Sequence, residues 1–163
     1  MACLGVLFAL TPEQSARLLA GGGDERVREV VGEIEEAWDL PWVCELDKAW
    51  DALHRCLTDG RLHDDNGHVP LSHAILGGQP LHEGEDYVVC YLDPGQVRAV
   101  AEALAPLDGA WLRRRYAELE FEDYDGERGE QDLDYTQAFF PDLREFYRMA
   151  AAEGLAVVFT VDQ

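Results

Sequence analysis

Tyr87-Val88-Val89-Cys90-Tyr91-Leu92-Asp93-Pro94-Gly95-Gln96 is the stretch on which the fold turns. Six consecutive hydrophobic residues read as a buried strand. Asp93 then suits a helix N-cap, Pro94 the first helical position, and Gln96 the third, from which it reaches back to the cap backbone. Val97, Val100, Ala101 and Leu104 follow at i, i+3, i+4 and i+7, one face of a helix. The same phrase stands at the start of the chain. The run Met1 to Leu10 is continuously apolar apart from Gly5, and Thr11-Pro12-Glu13-Gln14 repeats the cap, the proline and the glutamine. A third apolar run, Leu155 to Val161, follows the helix-stop signal Gly154. Residues 2–9, 87–92 and 155–161 are therefore predicted as strands of one sheet.

The segments between these strands read mostly as helices. Asp24 is placed to cap a helix carrying Val27, Val30, Val31, Ile34 and Trp38 on one side, with Pro41 as its breaker. A second helix is predicted from about Asp47 to Leu57, where Leu46, Trp50, Leu53 and Leu57 keep a 4-3-4 core spacing. Asp59 to Pro70 reads as a polar loop, and Leu71 to Leu76 as a short helix ending at Gly77-Gly78. Trp111, Leu112, Tyr116 and Leu119 mark another helix. Leu143, Phe146, Tyr147 and Ala150 mark the last, which Pro141 either starts or kinks. No Ser/Pro-rich linker divides the chain. The expectation is one α+β domain over residues 1–163, a small sheet whose apolar strands are covered by amphipathic helices.

Composition excludes several function classes. Thirteen basic residues against 33 acidic ones give a formal net charge of −20. Phosphate contacts need clustered Lys and Arg, so nucleic acid is not an expected partner, nor is an anionic membrane surface. Cys3, Cys44, Cys56 and Cys90 form no CxxC pair or zinc spacing and sit among apolar neighbours, as buried free thiols do. The opening apolar run lacks the basic n-region and cleavage site of a signal peptide. Twelve Arg against one Lys in an Ala- and Gly-rich chain points to a GC-rich bacterial genome. A cytoplasmic location is expected.

Few residues arrange themselves as chemistry requires. All five histidines fall between His54 and His82, and His63-Asp64-Asp65-Asn66-Gly67-His68 offers metal-type ligands. Its five-residue gap matches neither helical nor strand ligand pairs, so a polar surface loop is the stronger reading and no metal or cofactor is expected. Residues 118–134 hold nine acids and one Arg. Setting Gly126 or Gly129 as the obligatory glycine of a calcium loop puts Phe121 or Tyr124 at the first ligand position, so no calcium loop is assigned. Nucleophile elbows, P-loops, dinucleotide fingerprints and HExxH are absent from the sequence. Arg113-Arg114-Arg115 is spread around a helix and reads as surface pairing with nearby Glu. Leu46-Asp47-Lys48-Ala49-Trp50-Asp51-Ala52-Leu53-His54 is more informative. On a helix Asp47, Asp51 and His54 fall at i, i+4 and i+7, beside the chain's only lysine, a compact point charge among arginines. An ordinary Lys48–Asp51 pair is the bland alternative.

It is this segment that carries a family resemblance. The N-terminal strand with Thr-Pro-Glu-Gln, the 46–54 segment, and Pro70-Leu71-Ser72-His73-Ala74-Ile75-Leu76-Gly77-Gly78 resemble the YfbM-like family of bacterial proteins. So do Tyr91 to Val97, the Arg115-Tyr116 pair and the Phe146-Tyr147 helix before the final strand. These landmarks span nearly the whole chain in the family's order. The resemblance implies a compact α+β domain, bacterial and cytoplasmic. The family is a domain of unknown function (1877), so it transfers no catalytic or binding residue. The acid-rich loop at 122–134 departs from the family pattern, and a shared site is not expected there.

For function, the leading expectation is a non-enzymatic acidic binding protein, regulatory or immunity-type, for a basic protein partner. The alternative is an enzyme using His54 or His73 with Asp47 or Asp51 as an acid–base pair in a cleft beside Lys48. A structural or oligomeric module is a third. Any functional cleft is expected beside the Asp47–His54 helix and near the His73–Gly78 turn, with Asp47, Lys48, Asp51, His54 and His73 as candidate residues.

Overall fold

The computed structural model describes residues 3–39 and 41–162. Strand β1 (Gly5–Leu10) leads into helix α1 (Pro12–Leu19), then α2 (Gly23–Ala37), strand β2 (Val43–Asp47) and helix α3 (Ala49–Leu57). After a 3₁₀ turn at Leu71–His73 come β3 (Gln79–Pro80), β4 (Tyr87–Leu92), α4 (Pro94–Leu104), α5 (Gly109–Glu118), α6 (Glu130–Ala152) and β5 (Ala156–Asp162). The five strands form one antiparallel sheet in the order β2-β1-β5-β4-β3. The three apolar runs thus pair as neighbours at its centre, with Leu7 opposite Phe159 and Cys90 opposite the same residue from the other side. This is an α+β fold.

Central strands buried on both faces explain why their runs are continuous rather than alternating. One face sends Leu7, Ala9, Cys90, Leu92, Val157 and Phe159 into a core built with α3, α4, α5 and α6. The other sends Phe8, Leu10, Val89, Tyr91 and Val158 against α1 and α2. The buried Leu, Val and Phe side chains among them each contribute roughly 1.5–3 kcal/mol of transfer free energy. Both capping boxes form: Thr11 accepts the Gln14 N–H, Asp93 accepts the Gln96 N–H, and each glutamine side chain accepts its cap's N–H. No helix among the described residues is long and apolar enough to cross a membrane.

Several expectations are corrected. Val43–Asp47 is a strand, so the helix predicted from Asp47 begins only at Ala49. Leu46 and Trp50 stand four apart and both are buried, which imitates a helical stripe across a strand-to-helix corner. Asp24 does not cap α2, whose N-cap is Gly22; its carboxylate accepts the N–H groups of Glu83 and Gly84 and ties that loop down. Trp38 lies beyond the helix, in left-handed conformation at the C-cap. The short helix predicted over Leu71–Leu76 is one 3₁₀ turn, fastened by the buried Tyr147 hydroxyl donating to the Ala74 carbonyl at 2.6 Å. Of the two readings of Pro141 only the helix start falls away: it sits inside a longer helix, α6, which runs from Glu130 and draws three acids of the acidic stretch into its first turns. Cys44, Cys56 and Cys90 are buried, and burial pushes each thiol up to about 12, whereas Cys3 is only half-buried.

Candidate functional site

The corner between β2 and α3 is where the sequence placed its candidates, and it builds a cleft. Asp47 closes the strand at φ 49°, a left-handed turn that Asp tolerates better than most residues, and its carboxylate accepts the Lys48 N–H at 2.7 Å. Trp50, one turn on, is buried; its Nε1 donates to the Cys3 carbonyl at 2.9 Å and its ring packs on Phe159. Gly5 lies against that ring so closely that a Cβ there would stand 2.7 Å from it. The indole therefore fixes the N-terminal strand and α3 together. Beside it opens a cleft of about 470 Å³ lined by Cys3, Lys48, Trp50, Asp51, Leu62, Tyr124, Asp125, Gly126, Asp132 and Tyr135.

The far wall comes from the acid-rich segment. Asp132 on α6 accepts hydrogen bonds from the hydroxyls of Tyr116 (2.6 Å) and Tyr124 (2.9 Å). Burial and the Asp132 carboxylate push both phenols above their usual range. Tyr135 is raised too, first by burial and then by Asp47, while its oxygen accepts the Lys48 N–H at 3.2 Å. Asp51 pairs with Arg55 at 2.5 Å, and burial still holds its carboxyl above the ordinary range. Arg55 is 1% exposed: it donates to the Gly60 and Glu122 carbonyls and lies 5.2 Å from the Tyr124 ring centre and 5.6 Å from that of Phe121. Arg128 likewise lies 4.2 Å from the Phe121 ring centre. The 118–134 segment is thus partly a packed arginine–aromatic cluster. Its Phe121, edge-on to Tyr116 at 5.2 Å, offers no ligand oxygen.

The five candidates do not converge. Lys48 and Asp51 line the cleft, without the expected pair between them, because Asp51 turns to Arg55. Asp47 lies outside the helix and lines an adjoining cavity. His54 is 1% exposed and lines neither. Its Nε2 sits 2.6 Å from the His63 carbonyl and 3.1 Å from Asn66 Oδ1, which makes Nε2 the protonated nitrogen and leaves buried Nδ1 without a partner. His73 lines neither cavity; its backbone is pressed against Gly77, where a Cβ would meet the Ser72 carbonyl at 2.5 Å. Gly78 is pressed in the same way against the Tyr91 carbonyl. The close approach those glycines permit serves chain packing.

Sequence reasoning missed Tyr124, Asp125, Asp132 and Tyr135, which lie about 80 residues away in a stretch that reads as solvated. Tyrosines in and beside the acidic stretch, Tyr116, Tyr124 and Tyr135, are the available sequence signal, since aromatic residues are out of place in a purely solvated loop. The polar loop is also more than surface: buried Asn66 donates to Thr58 Oγ1, Asp59 Oδ1 and the Arg61 carbonyl. His63, Asp64 and Asp65 bring ligand atoms within 4.8 Å of one another, but all three are exposed and consecutive, short of the closed four-ligand shell of a structural zinc. Arg113 pairs with Glu130 as expected of that triplet, whereas Arg115 donates instead to the carbonyls of Cys56 and Thr58.

His54 gives a pH prediction. Burial lowers its basicity below the usual 6.5, the largest cause, against the opposing pull of the His63 carbonyl. Below pH 6.5 the unfolded chain then binds a proton that the folded chain refuses, so this group's contribution to stability falls as pH drops toward the depressed value. In His54→Asn, that part of the acid loss disappears. Urea midpoints of both proteins between pH 7.5 and 5 check it; parallel curves would contradict the assignment of a neutral, buried His54.

Comparison with known proteins agrees with the fold. Protein YfbM of Escherichia coli (strain K12) is 33% identical over 73 residues, covering 45% of this chain and 44% of that protein's length, so the sequence match spans under half of the relative. The crystal structure of YfbM from Escherichia coli, a protein of unknown function, superposes with a TM-score of 0.72 at 21% identity, over 97% of this chain and 99% of that one. At that identity the likeness is one of fold. A family model described as "Domain of unknown function (DUF1877)" matches residues 1–160. The chain belongs to this YfbM-like DUF1877 family.

Proposed function

We propose that the protein is a non-enzymatic acidic binding protein of the bacterial cytoplasm, regulatory or immunity-type, whose partner is a basic protein. The observation that carries this reading is the state of the carboxylates in the cleft. Asp125 and Asp132 have no Arg or Lys ion-pair partner among the described residues; they line the cleft with Trp50, Tyr124 and Tyr135, and Asp132 accepts the Tyr116 and Tyr124 hydroxyls. With a net charge of −20, the surrounding field attracts basic surfaces and speeds their encounter. The enzyme alternative draws no support from the placement of its acid–base pair, since His54 is sealed behind the 63–66 loop and His73 lies outside the cleft.

Affinity purification from the native host, with mass spectrometry, tests the reading. The expected result is a basic protein whose purified complex weakens as salt rises, because charges at the rim are screened within about 8 Å at 0.15 M. Recovery of only acidic or neutral proteins, or an affinity equal at low and high salt, overturns it.

A further inference from the structure

Four of the six large apolar side chains most exposed among the described residues gather in one place: Leu4, Trp38, Leu62 and Tyr135. Leu62 and Tyr135 belong to the 470 Å³ cleft. Leu4 and Trp38 belong to a neighbouring cavity of about 430 Å³, together with Glu35, Glu45, Asp47 and Phe139. The two adjoin. Asp47 and Lys48 are consecutive, as are Cys3 and Leu4, and Tyr135 meets Phe139 edge-on at 5.1 Å one turn along α6. The Tyr135 oxygen, lining the first cavity, meets the Lys48 N–H and the carboxylate of Asp47, which lines the second.

Charge on this surface is one-sided. Asp51, Asp125 and Asp132 line the first cavity and Glu35, Glu45 and Asp47 the second, against Lys48 as the one basic lining residue of either among the described residues. Asp51 alone of the six has an arginine partner among those residues. Burial holds the Glu35 carboxyl above its usual range, against the opposing hydrogen bond from the Tyr87 hydroxyl. Exposed apolar side chains concentrated in one patch mark an interaction surface, and unpaired carboxylates around them select cationic groups.

We infer that these two adjoining cavities form one docking groove for an amphipathic basic segment of the partner, in which arginines alternate with large apolar residues. The inference rests on the proposed function and adds where the partner sits and what its segment looks like. Apolar side chains of the segment replace water over Leu4, Trp38, Leu62 and Tyr135. Its guanidinium groups meet Asp125, Asp132 and Glu45 and stack on the aromatic walls, as Arg55 already lies beside Tyr124 within the same wall. Charge alone attracts any basic chain; the apolar anchors distinguish this one.

The test uses two synthetic peptides of equal length and equal arginine content at about 0.15 M salt, one alternating arginine with leucine and the other arginine with serine. Isothermal titration of the whole protein is expected to give at least about tenfold tighter binding of the leucine peptide, or about 1.4 kcal/mol. Leu4→Ser/Leu62→Ser is expected to erase that preference, with thermal unfolding run alongside to establish that the variant is folded. Asp125→Asn/Glu45→Gln, which alters no buried group, is expected to weaken both peptides by more than the charge-matched Glu25→Gln/Glu102→Gln. Equal binding of the two peptides by the native protein, or groove variants indistinguishable from the charge-matched control, overturns the groove while leaving the basic partner standing. Failure to bind either peptide overturns both.

Discussion

Arg55→Ala is expected to lose about 3–5 kcal/mol, a large part of the roughly 5–15 kcal/mol that holds a domain of this kind together. The guanidinium is 1% exposed and satisfies Asp51, the Gly60 carbonyl and the Glu122 carbonyl at once. Truncation leaves a largely buried carboxylate without its cation and two carbonyls without donors. It also opens a void against Phe121 and Tyr124. Because desolvation already works against the Asp51 carboxylate, the double variant Arg55→Met/Asp51→Leu is expected to recover much of the loss: a buried ion pair costs less to replace than to break. Urea denaturation of the native protein and both variants measures this. A single variant within 1 kcal/mol of native, or a double variant no better than the single, would refute this account of the cluster.

Gly60→Ala is expected to cost about 2–4 kcal/mol, the sum of a torsional and a steric effect. Gly60 has φ +94°, and a Cβ there would run into the Glu120 carbonyl oxygen, a backbone atom that cannot swing aside. Its N–H donates to the Arg55 carbonyl while its own carbonyl accepts from Arg55 Nη1. Gly21 separates the two effects, since it has φ +84° and a Cβ there would meet nothing within 4 Å. Gly21→Ala is therefore expected to show the torsional cost alone, about 1 kcal/mol. Equal losses at the two glycines, measured by thermal unfolding, would show that the Glu120 contact relaxes freely.

What was legible in the sequence follows from how locally each feature is encoded. The Thr11–Gln14 and Asp93–Gln96 boxes involve residues three apart, so their hydrogen bonds could be written down before any fold was known. The strand β2 was not legible, because its five residues sit between Pro41 and Lys48 and its Leu46 pairs in spacing with Trp50 of the following helix. Lys48 stood out as the lone lysine, and Asp51 came with it. Their opposite wall did not, since Lys48 N–H and the Tyr135 hydroxyl meet across 87 residues of chain. His54 misled because it carries a polar side chain on a helix whose polar face reads as solvated. The loop that folds back over it, through the His63 carbonyl and Asn66, is what buries it.

The α+β class, the three central strands, both capped helix starts and the anionic charge were all readable without a fold. Each depends on runs, spacings of three or four residues, or a sum over side chains, and none depends on where distant segments meet. Tertiary structure alone decided that the acid-rich stretch becomes the wall of a cleft. It decided also that Asp51 answers Arg55 rather than Lys48, and that the two histidines stay outside. The physical reason is burial: α6 packing beside α3, with the loop that leads into it, brings Tyr124, Asp132 and Tyr135 around Lys48, and the low-dielectric interior leaves Arg55 the Asp51 carboxylate and two backbone carbonyls to satisfy it.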